Sequence, residues 1–135
     1  MKLPDKYFPA LAGCLVFLAS FYLYIRTLCP SVYFGDSGEL IAAAKTLGVP
    51  HPTGFPLYLL TAKFFSALPL AAFAFRVNLV SAAFGALACA ALFFALHVFS
   101  RNESSKARSI LLPAAVSLVF MAGYTMWSQA SIARI

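Results

Sequence analysis

Gly35-Asp36-Ser37-Gly38-Glu39-Leu40, followed by His51-Pro52-Thr53-Gly54-Phe55-Pro56, is the stretch around which this 135-residue chain is organised. The chain has only four acidic residues, and Asp36 and Glu39 stand three positions apart within this stretch. The other two, Asp5 and Glu103, belong to short polar flanks that read as solvated ends. On both sides of the stretch the sequence is apolar enough to lie in a lipid bilayer. The chain therefore reads as an all-α integral membrane protein of about three transmembrane helices. Their connections hold one acidic, histidine-bearing loop at the membrane surface.

Composition supports that class. Hydrophobic residues make up 62% and charged residues 10%, with a mean hydropathy of +0.87, against roughly 45–50% and about 25% in globular domains. The net charge of +6 comes from scattered Lys and Arg at the ends of apolar runs, with no basic stripe, so nucleic acid is not an expected partner. Cys14, Cys29 and Cys89 have no metal-ligand spacing and read as small membrane-buried residues. Leu11-Ala12-Gly13-Cys14 resembles a lipoprotein cleavage box, but the apolar run continues past the cysteine, which favours an uncleaved first span.

Outward from the loop, residues 8–26 form the first expected span. Pro9 falls in its first turn, and Tyr22, Tyr24 and Arg26 mark its far end as an aromatic belt and a snorkelling cation. Residues 28–76 are the expected outward loop. Within it, Asp36 has N-cap position and Glu39 has capping-box spacing. Leu40, Ala43, Ala44 and Leu47 share one helical face, and Gly48 with Pro50 stops the helix. A short amphipathic helix over residues 37–47 is expected to lie along the interface. Three prolines and a glycine make residues 49–56 a stiff turn. Lys63 and Pro69 interrupt the next apolar run, which predicts a second interfacial helix over residues 56–68 and not a span. The second and third spans are expected at residues 77–99 and 110–127, with Pro113 in the first turn of the latter. His97 reads as a span-end residue.

Three spans put Lys2 and Lys6 on the same side as Arg101, Lys106 and Arg108. The positive-inside rule makes that side cytoplasmic and turns the loop outward. The expected location is a bacterial inner membrane or an equivalent membrane.

Two uses of the loop's polar residues stay open on sequence alone. Asp36 and Glu39 serve as helix caps, or as a general base and its neighbour, since a carboxylate at a partly desolvated surface is a competent base. His51, held between Pro50 and Pro52, either satisfies its own loop or partners an anionic head group such as a phosphate. A cation held by the three is a weaker option. Lys63 and Arg76 are anchors at the interface or cationic contacts for a substrate. Ser37 has no histidine in a nucleophile motif. A transporter would carry carboxylates within its spans, and none occur.

Four motifs occur in order: Tyr33-Phe34-Gly35-Asp36-Ser37-Gly38-Glu39-Leu40, His51-Pro52-Thr53-Gly54-Phe55-Pro56, Arg76-Val77-Asn78-Leu79 and Trp127-Ser128-Gln129-Ala130. Together they resemble the N-terminal part of a protein O-mannosyltransferase-like membrane family, a branch of the GT-C glycosyltransferases, and the resemblance covers nearly the whole chain. It implies that Asp36 deprotonates an acceptor hydroxyl, which attacks the anomeric carbon of a sugar carried on a polyprenyl phosphate, with inversion. It implies further that Glu39 orients the acceptor or Asp36 and that His51 lies near the donor phosphate. A divalent metal is left open. Thr53 and Arg134 depart from the family pattern, standing where a proline and an acidic residue are expected. Such enzymes build the donor site from many helices. The chain is therefore expected to be the front end of a longer enzyme, partnered by membrane lipid and by the remaining portion or another membrane subunit. The rival expectation is a small membrane interaction subunit, or an inactive fragment, that does no chemistry.

Overall fold

The computed structural model describes residues 7–52, 54–101, 103 and 105–133. Asp5, Lys2, Lys6, Thr53, Ser104 and Arg134 lie outside the described residues. Six helices follow one another: α1 (Phe8–Arg26), α2 (Ser37–Thr46), α3 (Pro56–Ser66), α4 (Phe73–Phe99), α5 (Lys106–Ala122) and α6 (Tyr124–Ala130). Among the described residues there are two helices long and apolar enough to cross a membrane, α1 and α4, and a third span if α5 and α6 are counted together. With this composition the protein is an integral membrane protein.

The first span matches its sequence reading, with Pro9 inside the first turn and Arg26 in the last. Its 19 residues reach about 28 Å at ~1.5 Å each, close to the hydrocarbon thickness. Leu11, Leu15, Leu18 and Tyr22 form an exposed stripe for lipid, while Val16, Ser20 and Tyr24 turn inward. α4 runs antiparallel beside α1 and forms the spine of the fold. Near one end of the pair the backbone of Gly13 lies against the Phe94 ring, so close that a Cβ there would sit 2.3 Å from ring carbon Cζ. Near the other end Gly85 meets Tyr24, Met126 and Ala130, and a Cβ there would stand 2.7 Å from Ala130 Cβ. Glycine at both positions allows helix axes to approach as membrane packing favours.

α4 begins at Phe73, four residues earlier than the expected 77, and its 27 residues exceed one bilayer crossing. The extra turn, residues 73–76, adds Arg76 ahead of the expected start and sets it with Val77 and Asn78 at the loop end of α4.

The third span differs more. The expected continuous helix over 110–127 breaks at Gly123, and α5 and α6 meet at a bend of 67°. Gly123 has extended backbone (φ −59, ψ 134), and Tyr24 Oη donates to Met121 O at 3.1 Å, taking up a carbonyl freed by the break. A hydropathy scan cannot see this break, because α5 and α6 taken together still pass for one apolar span. Pro113 is also not in a first turn, since α5 starts at Lys106, with Ser105 Oγ accepting from Arg108 N. An interior proline has no N–H to offer the carbonyl four residues back. Here His97 Nδ1 donates to that carbonyl, Ser109 O, at 2.9 Å. The histidine read as a span-end residue thus repairs the α5 ladder.

Both helices expected within the loop form, over Ser37–Thr46 and Pro56–Ser66. α2, however, does not rest its apolar face on lipid. Leu40, Ile41, Ala43 and Ala44 are buried with Leu59 and Ala62 of α3 and with Val77 and Val80 of α4. Leu47 does not belong to that face; it is half-exposed and left-handed (φ 56), with Gly48 N bonding back to Ala43 O at 3.1 Å. The sequence pointed to Gly48 as the stop, but the left-handed position falls one residue earlier, where a leucine tolerates it at a cost of about 1–2 kcal/mol. It is α3 that leaves an apolar face exposed, through Leu57, Leu60 and Phe64.

Candidate functional site

Residues 27–36 lead from α1 into the acidic stretch. Gly35 takes a positive φ of 81, which swings the chain so that Asp36 O accepts from Leu40 N at 2.9 Å and starts α2. Ser37 is buried, and its Oγ accepts from Tyr33 N at 3.2 Å, pinning the turn from inside.

The capping box expected from Asp36 and Glu39 does not form. Asp36 occupies the N-cap position, but its backbone is helical (φ −68, ψ −12) and its side chain makes no capping bond. A capping side chain reaches the N–H groups from β-region backbone, which this residue lacks. Glu39 does not reach back to the helix start either. It turns outward and holds His51: Oε1 accepts from His51 N at 2.6 Å, and Oε2 lies 2.8 Å from Nδ1. Twelve positions separate the two residues. The proline-bounded turn closes that distance, with Gly54 N donating to His51 O at 3.1 Å and the Phe55 ring edge-on to the imidazole at 5.6 Å.

The geometry gives the two carboxylates different surroundings. Glu39 has both oxygens committed to His51, and those hydrogen bonds hold its carboxyl below the ordinary carboxylate range. The same contact raises the His51 imidazole above its ordinary value, with the charges of Glu39 and Asp36 adding to it. Since Nδ1–H points at Glu39, Nε2 is the nitrogen left to face a ligand. Asp36 is part-buried and shares a helix face with Glu39 at i, i+3. Among the described residues its carboxylate has no hydrogen-bond partner.

Asp36, Glu39 and His51 are thus brought together, while Lys63 and Arg76 are placed elsewhere. Lys63 Nζ donates to Lys45 O at 2.7 Å and ties α3 to the last turn of α2. Arg76 Nη1 donates to Ser66 O at 2.6 Å and Leu68 O at 2.8 Å, closing the C-terminus of α3, and its guanidinium stands 5.7 Å from the Phe73 ring centroid. Both cations lock the helices that carry the site. Among the described residues no three His, Cys, Asp or Glu side chains converge as a metal site requires, so the option of a cation held by Asp36, Glu39 and His51 gains no support.

Asn78, to which no role attaches from sequence alone, is fully buried. Its Nδ2 donates to Cys29 O at 2.7 Å and Ser31 O at 3.1 Å, and its Oδ1 accepts from Ala133 N at 2.9 Å. One amide clamps the start of the loop to the segment after α6. The available signal was a lone asparagine inside an otherwise apolar helix, where an unpaired amide is costly. Beside it Trp127 Nε1 donates to Thr27 Oγ1 at 2.9 Å, and Cys29 N donates to Ser131 O at 2.9 Å. α6 and the loop share one end of the bundle.

The Glu39–His51 contact has a pH window that can be checked. A raised imidazole favours the paired loop below the ordinary histidine value of about 6.5 and loses that contribution as pH rises through the raised value. A lowered carboxyl contributes above about 4.5 and loses it as pH falls through the lowered value. The loop is therefore expected to be tightest between those two limits. In Glu39→Gln the His51 titration, followed by NMR, should move down toward the ordinary value. An unmoved titration would mean that the pair does not form in solution.

Comparison with known proteins places these residues in a family. The model described as the protein O-mannosyl-transferase TMEM260 N-terminal domain matches residues 36–135. The chain is similar to the protein O-mannosyl-transferase TMEM260 of Mus musculus, 42% identical over 97 residues, or 70% of this chain and 14% of that protein. It is also similar to the Dictyostelium discoideum protein of the same name, 31% identical over 92 residues, or 66% of this chain and 11% of that protein. The chain thus spans 14% and 11% of the length of these curated relatives. No solved structure matches.

Proposed function

The chain belongs to the protein O-mannosyl-transferase TMEM260 N-terminal domain family, and from that premise we propose that it forms the acceptor-activating end of a membrane glycosyltransferase. The donor in this reading is a mannose-like sugar on a polyprenyl phosphate, and the acceptor is a hydroxyl. The observation that carries it is an Asp36 carboxylate that has no hydrogen-bond partner among the described residues, close to a histidine whose Nδ1 is turned to Glu39 and whose Nε2 is turned away from it.

Asp36 takes the proton of the acceptor hydroxyl as its oxygen bonds to the anomeric carbon. The bond from that carbon to the phosphate oxygen breaks, and the polyprenyl phosphate leaves with the electron pair. The proton passes from Asp36 to solvent. Attack from the face opposite the phosphate inverts the anomeric centre. His51, in the protonated form that its contact with Glu39 favours, offers Nε2–H to the phosphate and stabilises the charge that grows there. Glu39 positions His51. Lys63 and Arg76 contribute as braces of α3 and as positive charge flanking the loop. The remaining donor contacts come from other helices of a full-length enzyme. The test is sugar transfer by a full-length relative altered at the position matching Asp36, with loss of transfer expected and undiminished transfer contradicting the assignment.

The same reading places the loop, α2, α3 and α6 on the lumenal or outer side and the N-terminus on the cytoplasmic side. Val49 is 86% exposed on the loop, and Arg101 lies on the opposite flank. Val49→Cys should react with a membrane-impermeant maleimide from outside, and Arg101→Cys only after permeabilisation. Labelling of both from one side would break the three-span arrangement.

A further inference from the structure

A cleft of about 200 Å³ lies between the segment that follows α1 and the α6 helix. Thr27 and Tyr33 line one side, and Tyr124, Trp127, Ser128 and Ser131 line the other. We propose that this cleft is a binding subsite for the ring of a neutral hexose. The proposal rests on the transferase reading and assigns it a place for the sugar that the Asp36 site alone does not supply.

The lining selects the ligand class. Among the described residues it holds no charged side chain, so a phosphate or a carboxylate would enter without a counter-charge from them. It is not purely apolar either, since threonine and serine hydroxyls alternate with aromatic rings. Aromatic walls with a few placed hydrogen-bonding groups suit a ligand with apolar faces and a polar edge. A pyranose ring has that form, with C–H faces to stack and hydroxyls around the rim. The volume is below the roughly 300–1,000 Å³ of pockets for drug-sized ligands, so the cleft admits one ring and not a chain of them.

The walls are held in place before any ligand arrives. Trp127 is fixed by its indole N–H bond to Thr27 and by Ser131 Oγ, which donates to Trp127 O at 2.7 Å. The Tyr124 and Trp127 rings lie 6.4 Å apart at an angle of 47°, open toward a third body. Tyr124 is 79% and Tyr33 52% exposed, so neither ring is used by the core. The cleft is also coupled to the acidic turn, because Tyr33 N bonds to Ser37 Oγ next to Asp36.

Trp127 is the chain's single tryptophan, so its fluorescence reports on this cleft directly. The chain, reconstituted in nanodiscs, is titrated with methyl α-mannopyranoside. A saturable change in emission is expected, with half-saturation at about 1–10 mM for a ligand of this size. Tyr124→Ala should weaken it at least about fivefold, and Tyr124→Phe should retain it, since the ring supplies the contact. Two further probes separate the sources of the ring. A short-chain prenyl-phosphate mannoside saturating at lower concentration than the methyl glycoside assigns the cleft to the donor sugar. An O-mannosyl peptide doing so assigns it to the glycosylated acceptor. A flat titration with all three, or one unchanged by Tyr124→Ala, overturns the proposal. Binding does not require catalysis, so the two readings fail separately. Flat titrations alongside Asp36-dependent transfer by a full-length relative remove the cleft alone. Saturable binding without transfer supports the cleft and removes the transferase reading.

Discussion

Asp36→Asn, made at the matching position of a full-length relative, is expected to lower sugar transfer by about 10²–10⁴-fold, the usual cost of losing a general base. The fold should not notice the change. Asparagine keeps the shape of the side chain, and the carboxylate it replaces makes no capping bond in the first place. That fact extends the test to Asp36→Ala. Were Asp36 a working N-cap, alanine would cost helix stability of about 0.5–2 kcal/mol. With the cap unused, alanine should leave thermal unfolding in detergent unchanged while removing as much activity as asparagine does. Glu39→Gln should retain more turnover, because Glu39 acts through His51, and its loss should grow as pH rises and the imidazole loses its proton. Two results would undo this division of labour. Undiminished transfer by Asp36→Asn would move the base elsewhere, and a stability loss confined to Asp36→Ala would return Asp36 to a capping role.

The helices and the pairing inside the loop were not equally legible in the sequence. α1, α2 and α3 appear within about two residues of their expected ends, because each is bounded by proline, glycine or a belt residue that acts locally. The break at Gly123 was not legible. It depends on Tyr24, nearly a hundred positions away, accepting the cost of the opened turn by bonding Met121 O. In the loop, proximity of Asp36, Glu39 and His51 could be read from their shared short connection, but their roles could not. Capping-box spacing is a local rule, and it lost to a contact made across the turn by His51, which engages Glu39 through both its backbone N–H and its ring. Two bonds from a rigid, proline-flanked residue outcompete one bond back to the helix start. Lys63 and Arg76 failed to join the site for a related reason. Each donates instead to a backbone carbonyl at a helix end.

Asn78→Ala is expected to be the most damaging single change to the fold around the site. It removes two donors and one acceptor at once, leaving Cys29 O and Ala133 N without their side-chain partner and Ser31 O with only the Cys29 thiol at 3.2 Å. At about 1–3 kcal/mol for each buried group left unsatisfied, the loss should reach about 3–5 kcal/mol, or some 10–20 °C in unfolding temperature for a chain of this size. Asn78→Asp tests the chemistry more sharply. It conserves the acceptor for Ala133 N but sets a second oxygen against the carbonyls of Cys29 and Ser31, so it should fare no better than alanine despite its matching shape. Ser81→Ala is the fitting comparison, since it lies three residues along the same helix and gives up one bond to Tyr58 Oη at 3.2 Å; its cost should stay near 1 kcal/mol. The clamp also predicts where the damage goes. Released from Asn78, the amides of Cys29, Ser31 and Ala133 should lose protection from hydrogen exchange together, and Trp127 emission should shift with them, while amides in the middle of α1 and α4 stay protected. Exchange that spreads evenly over the whole bundle, or an unfolding temperature like that of Ser81→Ala, would show that the loop and α6 are held by packing and not by this amide.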